Sequence, residues 1–299
     1  MPNTESPNPR FADIDRWPTQ DAVEAMLEEQ VAAIASIKSQ TAQIAAAADD
    51  AATRLLAGGG RLVYVGAGTS GRVAVQDGVE LGPTFGWPAE RLVYLMAGGI
   101  DALVRSVEGA EDDAQDGQLQ IAANRINRDD VVIGVAASGK TPFTIAAIVS
   151  AGQTGALTIA IANNPDTPLL KAAQHQLVAA TGSEVIAGST RMKAGTAQKA
   201  ILNLLSTAIM LRLGRVYRGL MVDMVVSNEK LLKRAYGIVS SLTHCSDAAA
   251  IEAVEAAKHD IKTAVLIAMS QSPEAAAALL RAHDGILRDA VESLGDIGT

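Results

Sequence analysis

The chain has 299 residues, of which 48% are hydrophobic and 19% charged, so it can form one or two domains and is too apolar for a disordered protein. A net charge of −8 and an aromatic content of 3% argue against nucleic-acid binding, which needs basic side chains and stacking rings. The only cysteine is Cys245, which excludes an intrachain disulfide, and the four histidines show no metal-ligand spacing. Without a signal-peptide pattern or a long apolar run, a cytoplasmic protein with no bound metal and no membrane span is expected.

The first two thirds of the chain alternate between helical and strand patterns. Residues 21–56 are expected to form one long helix, because apolar residues recur every three or four positions before three glycines at 58–60. Short apolar runs then predict strands at 61–68, 91–96, 131–137 and 156–162, with a weaker fifth at 176–180. Strands that are apolar throughout are typical of a parallel sheet with helices on both faces, so the predicted fold class is α/β.

The last third of the chain is predicted to be helical. A long helix is expected over 189–213, and everything beyond Asn228 has helical character. Shorter helices are expected near 246–257, 260–270, 273–283 and 285–295. These patterns predict an N-terminal segment with its long helix over 1–57, an α/β domain over 58–227 and a small all-helical domain over 228–299.

Two glycine-rich stretches match nucleotide-binding signatures, but the surrounding residues do not support either match. Residues 66–71 fit G-x-G-x-x-G after a strand, yet the second strand ends without the carboxylate that would hold a ribose. Residues 134–141 fit G-x-x-x-x-G-K-[ST], yet their first positions continue a predicted strand, and no later strand ends in the aspartate that magnesium needs. Neither NAD nor ATP is therefore expected as a cofactor.

The same two loops have the character of an anion site. Each follows a predicted strand, carries small hydroxyl residues and opens a helix, and Pro142 suits the first turn of the second helix. Backbone amides at a helix N-terminus, together with hydroxyl groups, bind anions without much side-chain charge. Two such loops at the carboxyl edge of one parallel sheet would flank the crevice in which these sheets bind ligands. The alternative is that both loops are turns whose Ser and Thr side chains only cap helices.

Carboxylate side chains follow the first and the second predicted strands. Asp77 and Glu80 lie one turn apart on the helix expected after the first loop, and Glu108, Glu111, Asp112 and Asp113 are expected on the helix after the second strand. One carboxylate from each helix would supply an acid and a base if the two met over the crevice. A solvated acidic face is the alternative, and it is the favoured interpretation for Glu108, Asp112 and Asp113. For the other carboxylates, spacing does not decide between the two.

Several stretches resemble the N-acetylmuramic acid 6-phosphate etherase family, in matching order over nearly the whole chain. They are 14–16 (IDR), 66–72 (GAGTSGR), 107–112 (VEGAED), 136–142 (AASGKTP), 188–199 (GSTRMKAGTAQK) and 220–230 (LMVDMVVSNEK). The resemblance implies a sugar isomerase (SIS) domain of flavodoxin-like architecture, followed by a small helical domain similar to ubiquitin-associated modules. It also implies a homodimeric, cofactor-free lyase that removes D-lactate from its sugar phosphate in the recycling of cell-wall sugars.

The resemblance also implies roles for individual residues. Glu80 matches the family's catalytic proton donor, and Glu111 matches its second catalytic carboxylate. Thr69, Ser70, Ser138 and Thr141 would hold the sugar and its phosphate. The further residues predicted to bind substrate are Gly71, Arg72, Gly139, Lys140, Ser189 and Lys193. The chain departs from the family pattern at Gly82, where the first of two prolines is usual, and at Lys140, where Arg is commoner. To donate a proton at neutral pH, Glu80 would need a pKa raised from about 4.3 towards roughly 6–7, which burial could cause.

Some alternatives remain open at this point. Ser189, Arg191 and Lys193, with Asn228 and Lys230, would reach a site shared between two subunits, or the first three would only cap and solubilise a helix N-terminus. An aldose–ketose sugar-phosphate isomerase shares proton abstraction at carbon 2, and a sugar-phosphate-sensing regulator shares the fold. Release of lactate distinguishes the etherase from both.

Overall fold

A computed structural model describes residues 3–296, and its centre is a five-stranded parallel sheet. The strands are β1 (Leu62–Gly66), β2 (Leu92–Met96), β3 (Val131–Val135), β4 (Leu157–Ala162) and β5 (His175–Val178). Their order is β2-β1-β3-β4-β5, and every neighbouring pair is parallel. The predicted parallel α/β sheet is therefore confirmed, and its order is that of flavodoxin-like folds.

Helices pack on both faces of this sheet. Those that contact strands are α2 (Thr41–Leu56), α3 (Gly68–Val79), α5 (Ala114–Ala123), α6 (Pro142–Gln153) and α7 (Pro168–Ala172). The chain also forms α1 (Thr19–Ala35) and α8 (Lys193–Arg212), while α4 (Leu81–Phe85) belongs to the second unit described below. Residues of β1, β3 and β4 are buried throughout, as their apolar sequences require. Gly134 lies inside β3, and a Cβ there would meet the Ile148 side chain of α6 at 2.6 Å. Its place in the strand excludes the nucleotide-loop interpretation of residues 134–141.

The single helix expected over 21–56 is wrong, because a 3₁₀ segment, Ser36–Gln40, separates α1 from α2. Hydroxyl groups around this segment donate to carbonyls of the preceding turn: Ser36 to Ala33 at 2.7 Å, and Thr41 to Lys38 at 3.3 Å. Such bonds compete with the regular helical pattern and bend helices. The apolar periodicity runs through the break and gives no sign of it.

The chain forms two compact units. One runs to Val79 and resumes over Ala89–Ile209, and the other comprises Glu80–Pro88 and the chain from Met210 onward. This differs from the expected division at 57/58 and 227/228. The short segment 80–88 joins the second unit because Val225 N donates to Pro83 O at 3.3 Å and Arg215 donates to Phe85 O at 3.4 Å.

The second unit is mainly helical, which confirms the expected C-terminal helical domain. It contains α4, a two-stranded antiparallel ribbon of β6 (Val216–Tyr217) and β7 (Leu220–Met221), and then α9 (Glu229–Thr243), α10 (Asp247–Ala256), α11 (Ile261–Ala268), α12 (Pro273–Ala282) and α13 (Leu287–Asp296). Side chains of Asn228, Ser246, Asp260 and Ser272 cap the first four of these longer helices. Within residues 3–296 no one helix has the length and apolar character to cross a membrane; α11 and α12 reach both only as a pair, bent by 117°.

Candidate active site

The order of the strands defines where a ligand would bind the first unit. The chain leaves β1 towards one edge of the sheet, reaching β2, and later returns to pair β3 with the other side of β1. Ligands bind such sheets outside the carboxyl ends of the strands where the order reverses. The loops that follow β1 and β3, which carry the predicted hydroxyl residues, both start at this point.

The first loop is short because glycine lets α3 approach the sheet closely. A Cβ at Gly71 would lie 2.3 Å from the Met96 sulfur and 2.9 Å from the Gly66 carbonyl oxygen. The Gly71 amide donates to Ala67 O at 3.1 Å, so this residue serves packing and helix formation. Helix α3 thus begins directly behind the end of β1, where the free amides of its first turn favour an anion.

The second loop has one glycine position that no other residue fits without strain. Gly139 has φ +63°, and a Cβ there would lie 2.2 Å from the Thr167 hydroxyl oxygen. Ser138 Oγ accepts a hydrogen bond from the Lys140 amide at 3.2 Å. Thr141 is the N-cap residue of α6, yet its side chain makes no capping hydrogen bond. Capping therefore does not explain Thr141, and its hydroxyl group is free to bind a ligand.

A cavity of about 390 Å³, here called the first cavity, lies between the two loops. It is lined by Glu5, Ala67, Gly68, Thr69, Ser70, Glu111, Ala137, Ser138, Lys140, Thr141, Gly188 and Thr190. It brings together six of the residues singled out from the sequence: Thr69, Ser70, Glu111, Ser138, Lys140 and Thr141. Two helix N-termini, several hydroxyl groups and one lysine can hold an anion beside a carboxylate.

Glu111 does not lie on a helix, contrary to expectation. The chain after β2 forms 3₁₀ turns, one of which is Ala110–Asp112, and α5 begins only at Ala114. Gly109 enters this turn with φ +73°, and Asp113 caps α5 through its side chain, which accepts from the Asp116 amide at 2.9 Å. The turn leaves Glu111 exposed on the wall of the first cavity.

Glu80 lies in the second unit, immediately before α4. Leu81 and Phe85 are buried, but the Glu80 side chain itself is exposed, so the expected burial of this carboxyl is not found in the described chain. Gly82 lies in α4, where an added Cβ would meet only Trp87 O at 3.7 Å, an ordinary contact. The absence of a proline at this position therefore causes no steric change.

Asp77, one turn before Glu80, is held inside the first unit. Its carboxylate accepts hydrogen bonds from the Tyr64 hydroxyl at 3.0 Å and the Ser206 hydroxyl at 3.2 Å. Burial raises the pKa of Asp77, and burial also raises the pKa of the neighbouring Tyr94 to about 12. These contacts join α3 to β1 and α8, so Asp77 has a structural explanation.

Five predicted binding residues do not line the first cavity: Gly71, Arg72, Gly139, Ser189 and Lys193. Lys193 is buried in an ion pair with Glu29 and donates to Ser183 O at 3.1 Å. Glu184, fully buried with its pKa raised by that burial, accepts from the amides of Lys193 and Ala194 and so caps α8. These contacts give Lys193 a structural role: it attaches the N-terminus of α8 to α1.

Glu5 and Thr190 line the first cavity and were missed from the sequence. Glu5 reaches it because Thr4 is fully buried, accepting from Asn164 Nδ2 at 3.2 Å and, through its carbonyl, from the Gly188 amide at 3.2 Å. The segment is a 3₁₀ turn in a polar lead and has no apolar periodicity. Thr190 lies between Ser189 and Arg191, and its residue type gives no reason to select it rather than those neighbours as a cavity residue.

The site gives no indication of a metal centre. In the part of the chain that the structure describes, no group of three or more His, Cys, Asp or Glu side chains is arranged to hold a metal ion. Hydroxyl groups and helix N-termini bind phosphate or carboxylate groups without one. The chemistry that these residues can perform is therefore anion binding with proton transfer by a carboxyl group.

Alanine at position 139 tests whether the second loop must keep its conformation. We expect Gly139→Ala to lower the free energy of unfolding by about 1–3 kcal/mol, because the residue would be strained and would displace Thr167. Displacement of the loop should also reduce kcat/KM by about 10- to 100-fold. Gly152→Ala, on α6 with open space around it, is the matched control for thermal unfolding and kinetics. Equal behaviour of the two variants would contradict this role.

Comparison with known proteins identifies the domains of this chain. The SIS domain model matches residues 106–208, that of the glucokinase regulatory protein N-terminal SIS domain matches 40–152, and that of the C-terminal lid domain of glucokinase regulatory protein matches 218–273. A Bacteroides fragilis structure described as a phosphosugar isomerase involved in capsule formation has a TM-score of 0.52 at 23% identity, over 65% of this chain and 91% of that one. The protein is an SIS-domain protein.

Relatives that match nearly the whole chain identify the family within the SIS-domain class. The N-acetylmuramic acid 6-phosphate etherase of Erwinia tasmaniensis is 44% identical over 290 residues, which cover 97% of this chain and 94% of that protein. The protein of the same name from Deinococcus radiodurans is 44% identical over 297 residues, 99% of this chain and 97% of that one. The chain belongs to the N-acetylmuramic acid 6-phosphate etherase family, which confirms the resemblance noted from its motifs.

Proposed function

We propose that the protein is a carbon–oxygen lyase that cleaves the D-lactyl ether of N-acetylmuramic acid 6-phosphate. The products are N-acetylglucosamine 6-phosphate and D-lactate, a reaction that belongs to the recycling of cell-wall sugars in the cytoplasm. The observation that carries the proposal is the first cavity, in which Glu111 lies beside two hydroxyl-bearing loops at helix N-termini. Family membership at 44% identity over nearly the full length supports the same reaction.

The 6-phosphate is assigned to the loop after β3. Ser138 and Thr141 offer hydroxyl donors, the first turn of α6 offers backbone amides, and Lys140 adds one positive charge at the rim. Thr69 and Ser70 from the first loop lie across the same cavity and are assigned to the sugar. Because the lining also carries Glu5 and Glu111, neutral donors and helix ends must provide much of the attraction for phosphate.

The chemistry needs two carboxyl groups and no cofactor. Ring opening exposes an aldehyde at carbon 1, which acidifies the proton on carbon 2. We assign Glu111 to remove that proton, while Glu80, which matches the family's proton donor, protonates the ether oxygen as its bond to carbon 3 breaks. D-lactate leaves, water adds at carbon 3 of the unsaturated aldehyde, and a proton returns to carbon 2. The sum is substrate plus water giving the two products.

Lactate release from the purified protein tests this function. Incubation with N-acetylmuramic acid 6-phosphate in deuterium oxide should give equimolar D-lactate and N-acetylglucosamine 6-phosphate with deuterium at carbon 2. Isomerisation without lactate would establish the isomerase alternative, and binding without turnover would establish the sensing alternative. Lactate release without label at carbon 2 would contradict proton abstraction there.

Removal of the loop hydroxyl groups should weaken phosphate binding. We expect Ser138→Ala and Thr141→Ala each to raise the Kd of N-acetylglucosamine 6-phosphate by about 10- to 100-fold, since a hydrogen bond to a charged group contributes about 1.5–3 kcal/mol. Calorimetry measures this, with Ser150→Ala on the same helix as the control. Unphosphorylated N-acetylmuramic acid should be a poor substrate, and turnover equal to that of the phosphorylated sugar would contradict the anion site.

A homodimer is also part of the proposal. Four apolar side chains of α1 follow helical spacing and are exposed in the single chain: Val23, Leu27, Val31 and Ile34. Such a stripe is typical of a surface covered by a partner, and twofold homodimers are the commonest closed assembly. We therefore infer that a second copy of this chain covers the stripe.

Charge in the α1 stripe should break that dimer. The double variant Leu27→Glu/Val31→Glu is expected to elute as a monomer at micromolar concentration, because both side chains are 62% exposed and substitution will not disturb the core of the chain. Light scattering gives the mass. Leu119→Glu, at a 56% exposed leucine on α5, is the matched control and should keep the wild-type mass. A monomeric wild-type protein would contradict the assignment.

A further inference from the structure

A second cavity, of about 330 Å³, adjoins the first one in the same unit. It is lined by Ala67, Gly68, Arg72, Met96, Ala97, Ala102, Ser106, Val107, Glu108, Gly109, Ala110 and Glu111. Small apolar side chains form its inner wall, and the segment 106–109 forms an exposed rim. The function proposed above leaves this cavity without a role.

The two cavities meet at one carboxylate. Ala67, Gly68 and Glu111 line both of them, so Glu111 stands between the loop hydroxyls of the first cavity and the interior of the second. A ligand with its phosphate at Ser138 and Thr141 and its reacting carbons at Glu111 would therefore extend into the second cavity. In the proposed substrate, the reacting carbons and the chain beyond them carry three groups: the lactyl ether on carbon 3, the N-acetyl group on carbon 2 and the aldehyde at carbon 1. Of these, only the lactyl ether carries a charge, so a charged group in the second cavity selects it.

Arg72 gives the second cavity a fixed positive charge. Its Nε donates to Ala102 O and Leu103 O, both at 3.1 Å, and its Nη2 donates to Ala102 O at 2.9 Å. These bonds hold the guanidinium group in place against the loop after β2. Nη1 makes no hydrogen bond to any residue within 3–296, and a guanidinium has five N–H donors, so donors remain for a ligand.

We propose that the second cavity is the lactyl subsite, in which Arg72 Nη1 binds the lactyl carboxylate and the wall of Met96, Ala97 and Ala102 receives the lactyl methyl group. The proposal rests on the proposed function, because it identifies the part of that substrate that the cavity recognises. Glu108 also lines the cavity, but it lies on the exposed rim where its charge is solvated. After cleavage, D-lactate would leave over the same rim.

A substrate analogue tests the charge pairing directly. The lactyl carboxylate is replaced by its carboxamide, and kcat/KM for both ethers is measured with the wild-type protein and with Arg72→Gln. We expect the wild type to prefer the carboxylate by about 10- to 100-fold, and Arg72→Gln to lose most of that preference. An unchanged preference in Arg72→Gln would overturn the proposal. Absence of lactate release from wild type with either ether would instead overturn the proposed function.

Since Arg72 also supports the loop, a pair of rim variants gives an independent test. Ser106 lines the cavity and is exposed, so Ser106→Asp and Ser106→Lys should both fold. Ser106→Asp should raise KM for the lactyl ether several-fold, whereas Ser106→Lys should lower it or leave it unchanged. Neither should change the Kd of N-acetylglucosamine 6-phosphate, which lacks the lactyl group. Equal effects of the two charges on KM would overturn the proposal.

Discussion

Replacing Glu111 with glutamine is expected to lower kcat for lactate release by about 10²- to 10⁴-fold, the contribution of a positioned general acid or base. Glutamine keeps the size and hydrogen-bonding reach of the side chain but cannot take up a proton at neutral pH. Because Glu111 is exposed on a 3₁₀ turn, the free energy of unfolding should change by no more than about 0.5 kcal/mol. Steady-state lactate assays and thermal unfolding measure the two effects.

Asp112→Asn is the matched control for this variant. Asp112 is the next residue on the same turn and is exposed, but it does not line either cavity. It should keep near-wild-type kcat, which separates loss of the Glu111 carboxylate from loss of one negative charge on the turn. Near-wild-type turnover by Glu111→Gln would remove Glu111 from the mechanism.

The sheet was predictable because burial on both faces imposes a recognisable sequence. A central parallel strand is apolar at every position, so β1, β3 and β4 appear as short unbroken apolar runs between helical segments. The edge strand β5 is only half-buried, and its pattern was correspondingly weak. Because parallel strands end at the same edge, the order of strands and loops along the chain is enough to predict that the hydroxyl residues after β1 and β3 lie near each other.

Local breaks in helices were not predictable from periodicity. The hydroxyl-to-carbonyl bonds that divide α1 from α2 leave the apolar spacing intact, so the pattern across residues 36–40 still indicated helix. The turn of Glu111 was missed for a related reason: Gly109 and Asp113, which end and restart regular structure, lie inside an acidic run that resembles a helix face. Both wrong predictions, the unbroken helix and the helical Glu111, depend on backbone hydrogen bonds that cannot be predicted from the pattern of polar and apolar residues.

Contacts between residues far apart in the sequence determine the part of the site that could not be predicted. Lys193 meets Glu29 across 164 positions of sequence, and Glu5 reaches the first cavity only because Thr4 is anchored to Asn164. Neither contact can be predicted from the spacing of residues along the sequence. The hydroxyl residues of the two loops were found because their position depends on strand ends alone, whereas residues brought in by the N-terminal segment depend on tertiary contacts.

The carboxyl group of Glu80 is the other group on which the proposed reaction depends. Its side chain is exposed, so a substitution there removes no buried contact. Its backbone is nevertheless well held, since Thr84 N donates to Glu80 O at 3.3 Å and Leu81 is buried. A substitution at Glu80 therefore tests chemistry more than folding.

Glu80→Gln is expected to lower kcat for lactate release by about 10²- to 10⁴-fold while leaving deuterium exchange at carbon 2 measurable, because proton abstraction precedes loss of the ether. A carbon-3 aryl ether, whose leaving group needs no protonation, should restore turnover in Glu80→Gln and not in Glu111→Gln. Glu90→Gln, an exposed carboxylate ten residues along the chain, should match the wild type in both assays. The reverse pattern, rescue of Glu111→Gln alone, would exchange the two roles, and turnover of the lactyl ether at the wild-type rate by Glu80→Gln would remove it from the mechanism.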